Sequence, residues 1–265
     1  MRVVVKVGTS TLAYSTGRIN IRRIEGLCRV LSDLKNRGME IVLVTSGAIG
    51  MGVGKLGLSG KPKDMPTKQA AAAVGQCELM YVYDKEFGEY NHTVAQLLLT
   101  AMDFKNEERH NNLKNTMSRL LSLGVLPIIN ENDTISTEEI KVGDNDTLSA
   151  MVALSVSADK LILLSDIDGL YTADPHKDKN ATLISVVEKI TPEILALGGG
   201  EGSSLGTGGM ATKLRAAEIC TENGCEMIII NGADCNLLYD LFEGKEVGTR
   251  FMANTEKMRH ENDND

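Results

Sequence analysis

The sequence predicts an α/β fold, a three-layer αβα sandwich with a mostly parallel central sheet. Six strand-like runs recur along the 265-residue chain, with amphipathic helical stretches between them, and they cover residues 2–7, 40–44, 93–99, 125–130, 160–164 and 226–230. Strands that alternate with helices favour a parallel sheet covered by those helices. A chain of this length can bury a large core, as one compact unit or two closely fused halves.

The first two elements show the pattern clearly. After Arg2, residues 3–7 form an apolar run interrupted by a single lysine, Lys6. In the helix that follows, apolar side chains recur every three or four residues before Gly38: Ile21, Ile24, Leu27, Cys28, Leu31 and Leu34. This spacing predicts a helix with one buried face that ends near the glycine.

Composition limits the classes of function. The chain has 28 Lys and Arg against 36 Asp and Glu, and a net charge of −8 disfavours binding to nucleic acid or an anionic membrane. Five cysteines without a C-x-x-C pair indicate reduced thiols in a cytoplasmic protein. The four histidines lack ligand spacing, so no metal-binding residue is predicted. No apolar run reaches the ~18 residues of a membrane helix, and residues 2–7 fit a buried strand better than a signal peptide.

The first candidate site is the segment Lys6-Val7-Gly8-Thr9-Ser10, at the end of the first predicted strand. Ligands of open α/β sheets bind outside the carboxyl ends of the strands, so Lys6 is well placed to hold a phosphate. An edge-strand lysine with its ammonium in solvent is an equally good interpretation of this segment alone.

The second candidate is residues 45–52, with the sequence T-S-G-A-I-G-M-G, where the strand 40–44 runs into a helix. Hydroxyls and free N–H groups at such a turn form an anion site that suits a carboxylate or a phosphate. An ordinary helix cap with packing glycines would have the same composition.

The third candidate combines residues 130–133, N-E-N-D, with residues 143–146, G-D-N-D, which precede a helical stretch. Acids and amides at a strand end, beside a helix N-terminus that carries more of them, can bind an amino group or position cationic side chains. Helix capping accounts for one aspartate but not for the whole cluster, so we favour a functional role.

The fourth candidate is the segment 198–209, in which seven of twelve residues are glycine, followed by Met210, Ala211, Thr212 and Lys213. A glycine loop that leads into a helix with an early lysine can close over a triphosphate, although no Walker A motif occurs in the chain. Residues 206–211 also match the dinucleotide pattern G-x-G-x-x-A. A Gly/Ser loop precedes this match instead of a strand, which disfavours NAD binding.

Together these segments resemble the amino-acid kinase family over residues 1 to about 251. The motifs occur in family order: V-K-V-G-T-S, V-T-S-G-A-I-G-M-G, I-I-N-E-N-D, K-V-G-D-N-D-T-L-S-A, L-L-S-D-I-D-G-L-Y-T-A-D-P and G-T-G-G-M-A-T-K. The combination of K-V-G-D-N-D with N-E-N-D is similar to the branch that acts on glutamate, rather than on acetylglutamate, carbamate, aspartate or uridylate.

The resemblance implies roles for individual residues. Lys6 and Lys213 would hold the transferred phosphoryl group from two sides, and Asp146 would orient both lysines. The residues that would bind the amino-acid substrate are Ser46, Asp133 and Asn145. Those that would contact ATP, besides Lys6, are Ser165, Asp166, Thr207, Gly208, Gly209, Met210, Ala211, Thr212 and Lys213. Ser165 departs mildly from similar sequences, which often have Thr at its position.

The implied reaction is the ATP-dependent phosphorylation of the side-chain carboxylate of L-glutamate, the first step of proline biosynthesis. ATP would carry Mg²⁺ on its phosphates, free proline would be a feedback inhibitor, and a glutamyl phosphate reductase would use the product. The family implies a homo-oligomer, a dimer or a tetramer. Two alternatives remain: another carboxylate or carbamate kinase of the same family, and a non-catalytic sensor of an amino acid or nucleotide.

The resemblance also suggests how the chain is divided. Residues 1–252 would form the kinase domain, with roughly 1–150 holding the amino-acid substrate and 151–252 the nucleotide. Residues 253–265 are polar and are expected to form a frayed tail. Many members of this branch carry a C-terminal RNA-binding module of the PUA type, and this chain is expected to be the short form without it.

Overall fold

The computed structural model describes residues 1–14, 18–60, 62–136, 144–175, 177–199 and 209–254. One sheet of eight strands runs through these residues in the order β3-β4-β2-β1-β5-β7-β8-β6. The strands are β1 (Arg2–Val7), β2 (Glu40–Val44), β3 (Val94–Leu99), β4 (Leu126–Glu131), β5 (Lys160–Ser165), β6 (Val186–Val187), β7 (Glu226–Asn231) and β8 (Thr249–Phe251).

Helices connect most of the strands. Those in the described residues are α1 (Thr9–Leu12), α2 (Ile21–Asn36), α3 (Ala48–Leu56), α4 (Met65–Gly88), α5 (Ala101–Lys105), α6 (Glu107–Ser122), α7 (Asn145–Ser155), α8 (Pro192–Ala196), α9 (Met210–Thr221) and α10 (Leu237–Phe242). The helix predicted to end near Gly38 is α2, and Gly38 follows it with a φ of +90°. In the part of the chain that the structure describes, no helix is long and apolar enough to cross a membrane.

The strand pairing confirms a mostly parallel sheet. From β3 to β7 every pair of neighbours is parallel, and only the pairing of β8 with β7 is antiparallel. Each of the six predicted strands is present with ends within one residue of the prediction. Strands β6 and β8 were not predicted, because they have only two and three residues and lack an apolar run.

Helices cover both faces of this sheet, which confirms the three layers. Val4 belongs to a core cluster that includes Leu148 of α7 and Ala217 of α9. Val3 and Val5 belong to a second cluster, which includes Leu27 of α2 and Leu79 of α4. Side chains alternate between the faces of a strand, so Lys6 lies on the same face as Val4, beneath α7 and α9.

The order of the strands places a ligand-binding edge at the end of β1. The chain extends from β1 in one direction through β2, β4 and β3, and in the other through β5 and β7. In open α/β sheets a ligand crevice forms at such a change of direction, outside the carboxyl ends of the strands. The residues that follow β1, β2, β4 and β5 therefore converge on one edge.

Candidate active site

A buried carboxylate joins two lysines from distant parts of the chain. Oδ1 of Asp146 lies 2.7 Å from Nζ of Lys6, and Oδ2 lies 3.0 Å from Nζ of Lys213. The hydroxyl of Thr212 donates to the same Oδ2 at 3.0 Å. Asp146 is 1% exposed, Lys6 8% and Lys213 6%. The expectation that Asp146 orients both lysines therefore matches the geometry, although their catalytic role stays a prediction.

Three elements bring these side chains together. Lys6 is near the end of β1, an interior strand of the sheet between β2 and β5, so the alternative of an edge lysine in solvent is wrong. Asp146 is in the first turn of α7, whose N-cap Asp144 accepts a hydrogen bond from Thr147 N at 2.8 Å. Lys213 is in the first turns of α9.

The electrostatic balance keeps Asp146 ionised. Burial alone favours the neutral acid, but the charges and hydrogen bonds of Lys6 and Lys213 outweigh it, so the pKa of Asp146 lies below its usual value. The cluster of two ammonium groups and one carboxylate thus carries a net positive charge. A buried site of this sign can bind a phosphate or another anion.

An amide of Asn145 links the next group of predicted residues. Its Nδ2 lies 2.8 Å from Oγ of Ser46, 2.6 Å from the carbonyl oxygen of Thr45 and 2.9 Å from Oδ1 of Asn130. Asn145 directly precedes Asp146, so this network lies beside the two lysines. The structure therefore brings Ser46 and Asn145 into direct contact, as expected for residues that bind one substrate.

Asp133 lies in the turn after β4, on the same edge of the sheet. Together with Ala48 and Gln76 it lines a cavity of about 10 Å³, which is room for one water-sized group. Ala48 is the first residue of α3, two positions after Ser46. Asp133 and the first residue of α3 therefore line the same cavity, and Ser46 lies just before that helix.

Close packing fixes the start of α3. Gly47 precedes the helix with a φ of +97°, which disfavours any other residue, and no side chain caps the helix. A Cβ atom on Gly75 of α4 would lie 1.7 Å from the carbonyl oxygen of Ala48, so the two backbones are in contact. The start of α3 is therefore held in place by close packing, and the anion site at residues 45–52 stays a prediction.

The residues expected to contact ATP lie on the other side of β1. Ser165 is buried at the end of β5, and its hydroxyl donates to Oδ1 of the exposed Asp166 at 3.1 Å. Gly209 is the uncapped N-cap of α9, and Met210, Ala211 and Thr212 form the first turn. Thr207 and Gly208 lie outside the described residues.

Sequence reasoning missed two members of the site. Asn130 accepts from Asn145 and donates from Nδ2 to Oε1 of Gln76 at 2.9 Å. Asn130 belonged to a cluster that was noticed but received no role, and Gln76 received none either. One local feature of the sequence hints at a role for Gln76. It directly follows residues 70–75 of α4, which are Ala or Gly apart from Val74, and α3 packs closely against α4 there.

Comparison with curated proteins finds close relatives over almost the whole chain. The chain is 54% identical over 256 residues to "Glutamate 5-kinase" of Clostridium perfringens (strain 13 / Type A), with 95% of each chain covered. It is 57% identical over 251 residues to "Glutamate 5-kinase" of Clostridium tetani (strain Massachusetts / E88), covering 95% of this chain and 94% of the relative.

Solved structures agree on the fold. The carbamate kinase from Giardia lamblia bound to AMP-PNP superimposes with a TM-score of 0.68 at 19% identity, covering 96% of this chain and 98% of that one. The model of the amino acid kinase family matches residues 1–231. With the identities above, this match shows that the chain belongs to the amino acid kinase family.

Proposed function

We propose that this protein transfers the γ-phosphoryl group of ATP to the side-chain carboxylate of L-glutamate, which gives L-glutamyl 5-phosphate and ADP. The observation that carries the proposal is the contact of Asp146 with both Lys6 and Lys213 at the carboxyl edge of the sheet. The names of the curated relatives support glutamate as the acceptor.

The reaction needs position and positive charge more than acid–base chemistry. A carboxylate is already an anion, so its oxygen can attack the γ-phosphorus without a general base. The bond from that phosphorus to the β,γ-bridging oxygen breaks, and ADP leaves with the electron pair. Two anionic reactants must meet while negative charge spreads over the equatorial oxygens, which makes electrostatic stabilisation the main requirement.

The two lysines meet this requirement from opposite directions. Lys6 approaches from β1 and Lys213 from α9, and Asp146 holds each ammonium within 3.0 Å. Because Asp146 already holds both ammonium groups, neither lysine loses further conformational freedom when the substrates bind. A fixed cation ~4 Å from a developing charge contributes a few kcal/mol at an effective dielectric constant near 20.

Magnesium would enter with the nucleotide. The described residues contain no group of three or more His, Cys, Asp or Glu side chains that could hold a metal ion. We expect the ATP phosphates to carry this ion. When bound, Mg²⁺ neutralises phosphate charge.

The acceptor would bind on the β2 and β4 side of β1. Ser46 and Asn145 would hydrogen-bond the glutamate, and the carboxylate of Asp133 would pair with its ammonium group. Ser165, Asp166 and residues 207–213 would contact ATP on the β5 side. This arrangement supports the division of residues 1–252 into an acceptor part, roughly 1–150, and a nucleotide part, roughly 151–252.

The remaining proposals rest on the family resemblance. They are inhibition by proline, use of the labile product by a glutamyl phosphate reductase, assembly into a homo-oligomer and a cytoplasmic location. The five cysteines support the last of these, because all are free thiols, as in proteins of reducing compartments.

A panel of acceptors tests the function. ADP formation from MgATP is measured with L-glutamate, N-acetyl-L-glutamate, L-aspartate, carbamate and UMP in parallel. We expect turnover with L-glutamate alone. Turnover with another acceptor would assign the chain to a sister activity of the same family, and no turnover with any acceptor would favour a non-catalytic sensor.

A further inference from the structure

A buried amide donor near the acceptor side has no hydrogen-bond partner in the described protein. Gln76, in the interior of α4, is 7% exposed. Its Oε1 accepts from Nδ2 of Asn130 at 2.9 Å, whereas its Nε2 has no partner. Buried donors in native proteins are nearly always paired, so this one is free to donate to a water molecule or to a ligand that enters the candidate site.

The direction of this donor follows from its neighbours. The backbone N–H of Glu131 donates to Oδ1 of Asn130 at 2.9 Å. A backbone N–H can only donate, so Oδ1 is the acceptor and Nδ2 of Asn130 must face Gln76. The atom of Gln76 that meets Nδ2 is therefore Oε1, and Nε2 is directed away from Asn130.

Gln76 lines the small cavity that also contains Asp133. The other lining residues include Ala48, Asn132 and Thr134. At about 10 Å³ the cavity has room for one small group, not for a whole substrate. The amide donor suits a carboxylate oxygen placed in the cavity, and the carboxylate of Asp133 suits an ammonium group of the same ligand beside it.

The topology separates Gln76 from the phosphoryl-transfer lysines. Gln76 contacts the end of β4, whereas Lys6 is on β1, and β2 lies between these strands. Two strand spacings amount to about 10 Å across the sheet. A substrate whose reacting carboxylate lies at Lys6 would therefore reach Gln76 only with its far end.

We propose that Nε2 of Gln76 donates a hydrogen bond to the α-carboxylate of the amino-acid acceptor and so makes Gln76 a specificity-determining residue. This inference rests on the proposed function. It adds a recognition contact that the motif residues Ser46, Asp133 and Asn145 do not include. A site built to hydrogen-bond one substrate group discriminates against analogues in which that group is altered.

The test compares L-glutamate with L-isoglutamine, whose α-carboxylate is replaced by a neutral carboxamide. The Gln76→Glu variant keeps an acceptor for Asn130 but places a carboxylate where the donor was. We expect its KM for L-glutamate to rise about 100-fold through repulsion between like charges, with the KM for ATP unchanged. The inhibition constant of L-isoglutamine against L-glutamate should change less than about threefold, because its carboxamide N–H groups can donate to the new carboxylate.

An equal rise in the KM for L-glutamate and in the inhibition constant of L-isoglutamine would overturn the proposal, because a purely structural role of Gln76 affects both compounds alike. Gln96→Glu, the same change at an exposed position of β3, is the matched control and should alter neither constant. If Gln76→Glu fails to fold, Gln76→Met removes the donor without adding charge. That variant should raise the KM for L-glutamate about tenfold, and an unchanged KM would also overturn the proposal.

The wild-type enzyme separates this inference from the proposed function. Absence of turnover with L-glutamate in the wild type would refute the function before any variant is measured. If the wild type turns over L-glutamate but Gln76→Glu prefers L-glutamate over L-isoglutamine as strongly as the wild type does, only the role of Gln76 is refuted.

Discussion

Nζ of Lys6 lies 2.7 Å from Oδ1 of Asp146, although more than half of the chain's length separates the two residues in the sequence. The other carboxylate oxygen binds Lys213, so one aspartate fixes two cations from different elements. Both lysines are buried, and this carboxylate is a partner that they share. We assign phosphoryl transfer to a carboxylate to this cluster.

Removal of either lysine should impair turnover far more than acceptor binding. We expect Lys6→Ala and Lys213→Ala each to lower kcat by roughly 10²–10³, since the lost charge stabilises mainly the transition state. The KM for L-glutamate should rise much less. Steady-state kinetics with both substrates varied measures the two constants.

The control for these variants is Lys160→Ala. Lys160 pairs with Glu226 at the opposite end of β5, so it is also a partly buried strand lysine with a carboxylate partner. Its removal should leave kcat near the wild-type value. A near-normal kcat in Lys6→Ala or Lys213→Ala would contradict the assignment of that lysine.

Asp146→Asn should change the pH dependence of stability. The pKa of Asp146 is lowered in the folded protein, so its ion pairs stabilise the fold above the unfolded pKa near 3.9 and this contribution is lost as the pH falls through the folded value. At neutral pH we expect the variant to be about 3 kcal/mol less stable, because two buried cations lose their partner. Urea unfolding at several pH values should show this gap narrowing below about pH 4. If the difference in unfolding free energy between the wild type and Asp146→Asn stays constant at acid pH, Asp146 is not the group that titrates.

Asp133→Ala should weaken the acceptor and spare the nucleotide. A carboxylate that pairs with the substrate ammonium is worth roughly 1.5–3 kcal/mol, so the KM for L-glutamate should rise about tenfold or more. The affinity for ATP, measured by calorimetry without glutamate, should equal that of the wild type. Loss of ATP affinity would place Asp133 on the nucleotide side of β1 instead.

Gly75→Ala tests the contact between α3 and α4. The added Cβ would lie 1.7 Å from the carbonyl oxygen of Ala48, so α3 must move and the anion-binding start of that helix moves with it. We expect a loss of stability of at least ~2 kcal/mol, as for other overpacked sites, and a raised KM for L-glutamate. Thermal unfolding and kinetics measure the two effects.

The matched substitution is Gly26→Ala in α2, where an added Cβ meets nothing within 4 Å. It should be neutral or should stabilise the protein by up to about 1 kcal/mol, because alanine is the better helix former. Equal stability of the Gly75→Ala and Gly26→Ala variants would show that α3 and α4 tolerate separation.

Much of this architecture could be predicted from local sequence. Strands in a parallel sheet are covered on both faces, so β1, β2 and β5 are mostly apolar runs whose ends can be located within one residue. The polar residues that interrupt or follow such runs mark the functional edge. This relation is why Lys6 and Ser46 could be singled out without coordinates.

The missing parts depend on contacts between distant residues. Strand β6 has two residues, one of them the exposed Val186. It is too short to show an alternating pattern of apolar residues, so its pairing with β8 cannot be read from the sequence. Gln76 is an ordinary helix-compatible residue, and its partner Asn130 lies 54 positions away. Only the folded chain shows that one end of its amide is paired and the other is not.

The most direct test of the central claim is the stoichiometry of trapped product. Wild-type protein is incubated with MgATP, L-glutamate and hydroxylamine, which converts an acyl phosphate to a hydroxamate, and both ADP and hydroxamate are counted. We expect one hydroxamate, or one 5-oxoproline from spontaneous cyclisation of the acyl phosphate, for each ADP formed in the presence of L-glutamate. ADP with neither hydroxamate nor 5-oxoproline would show that the phosphoryl group goes to water or to another acceptor, and would contradict phosphorylation of the carboxylate.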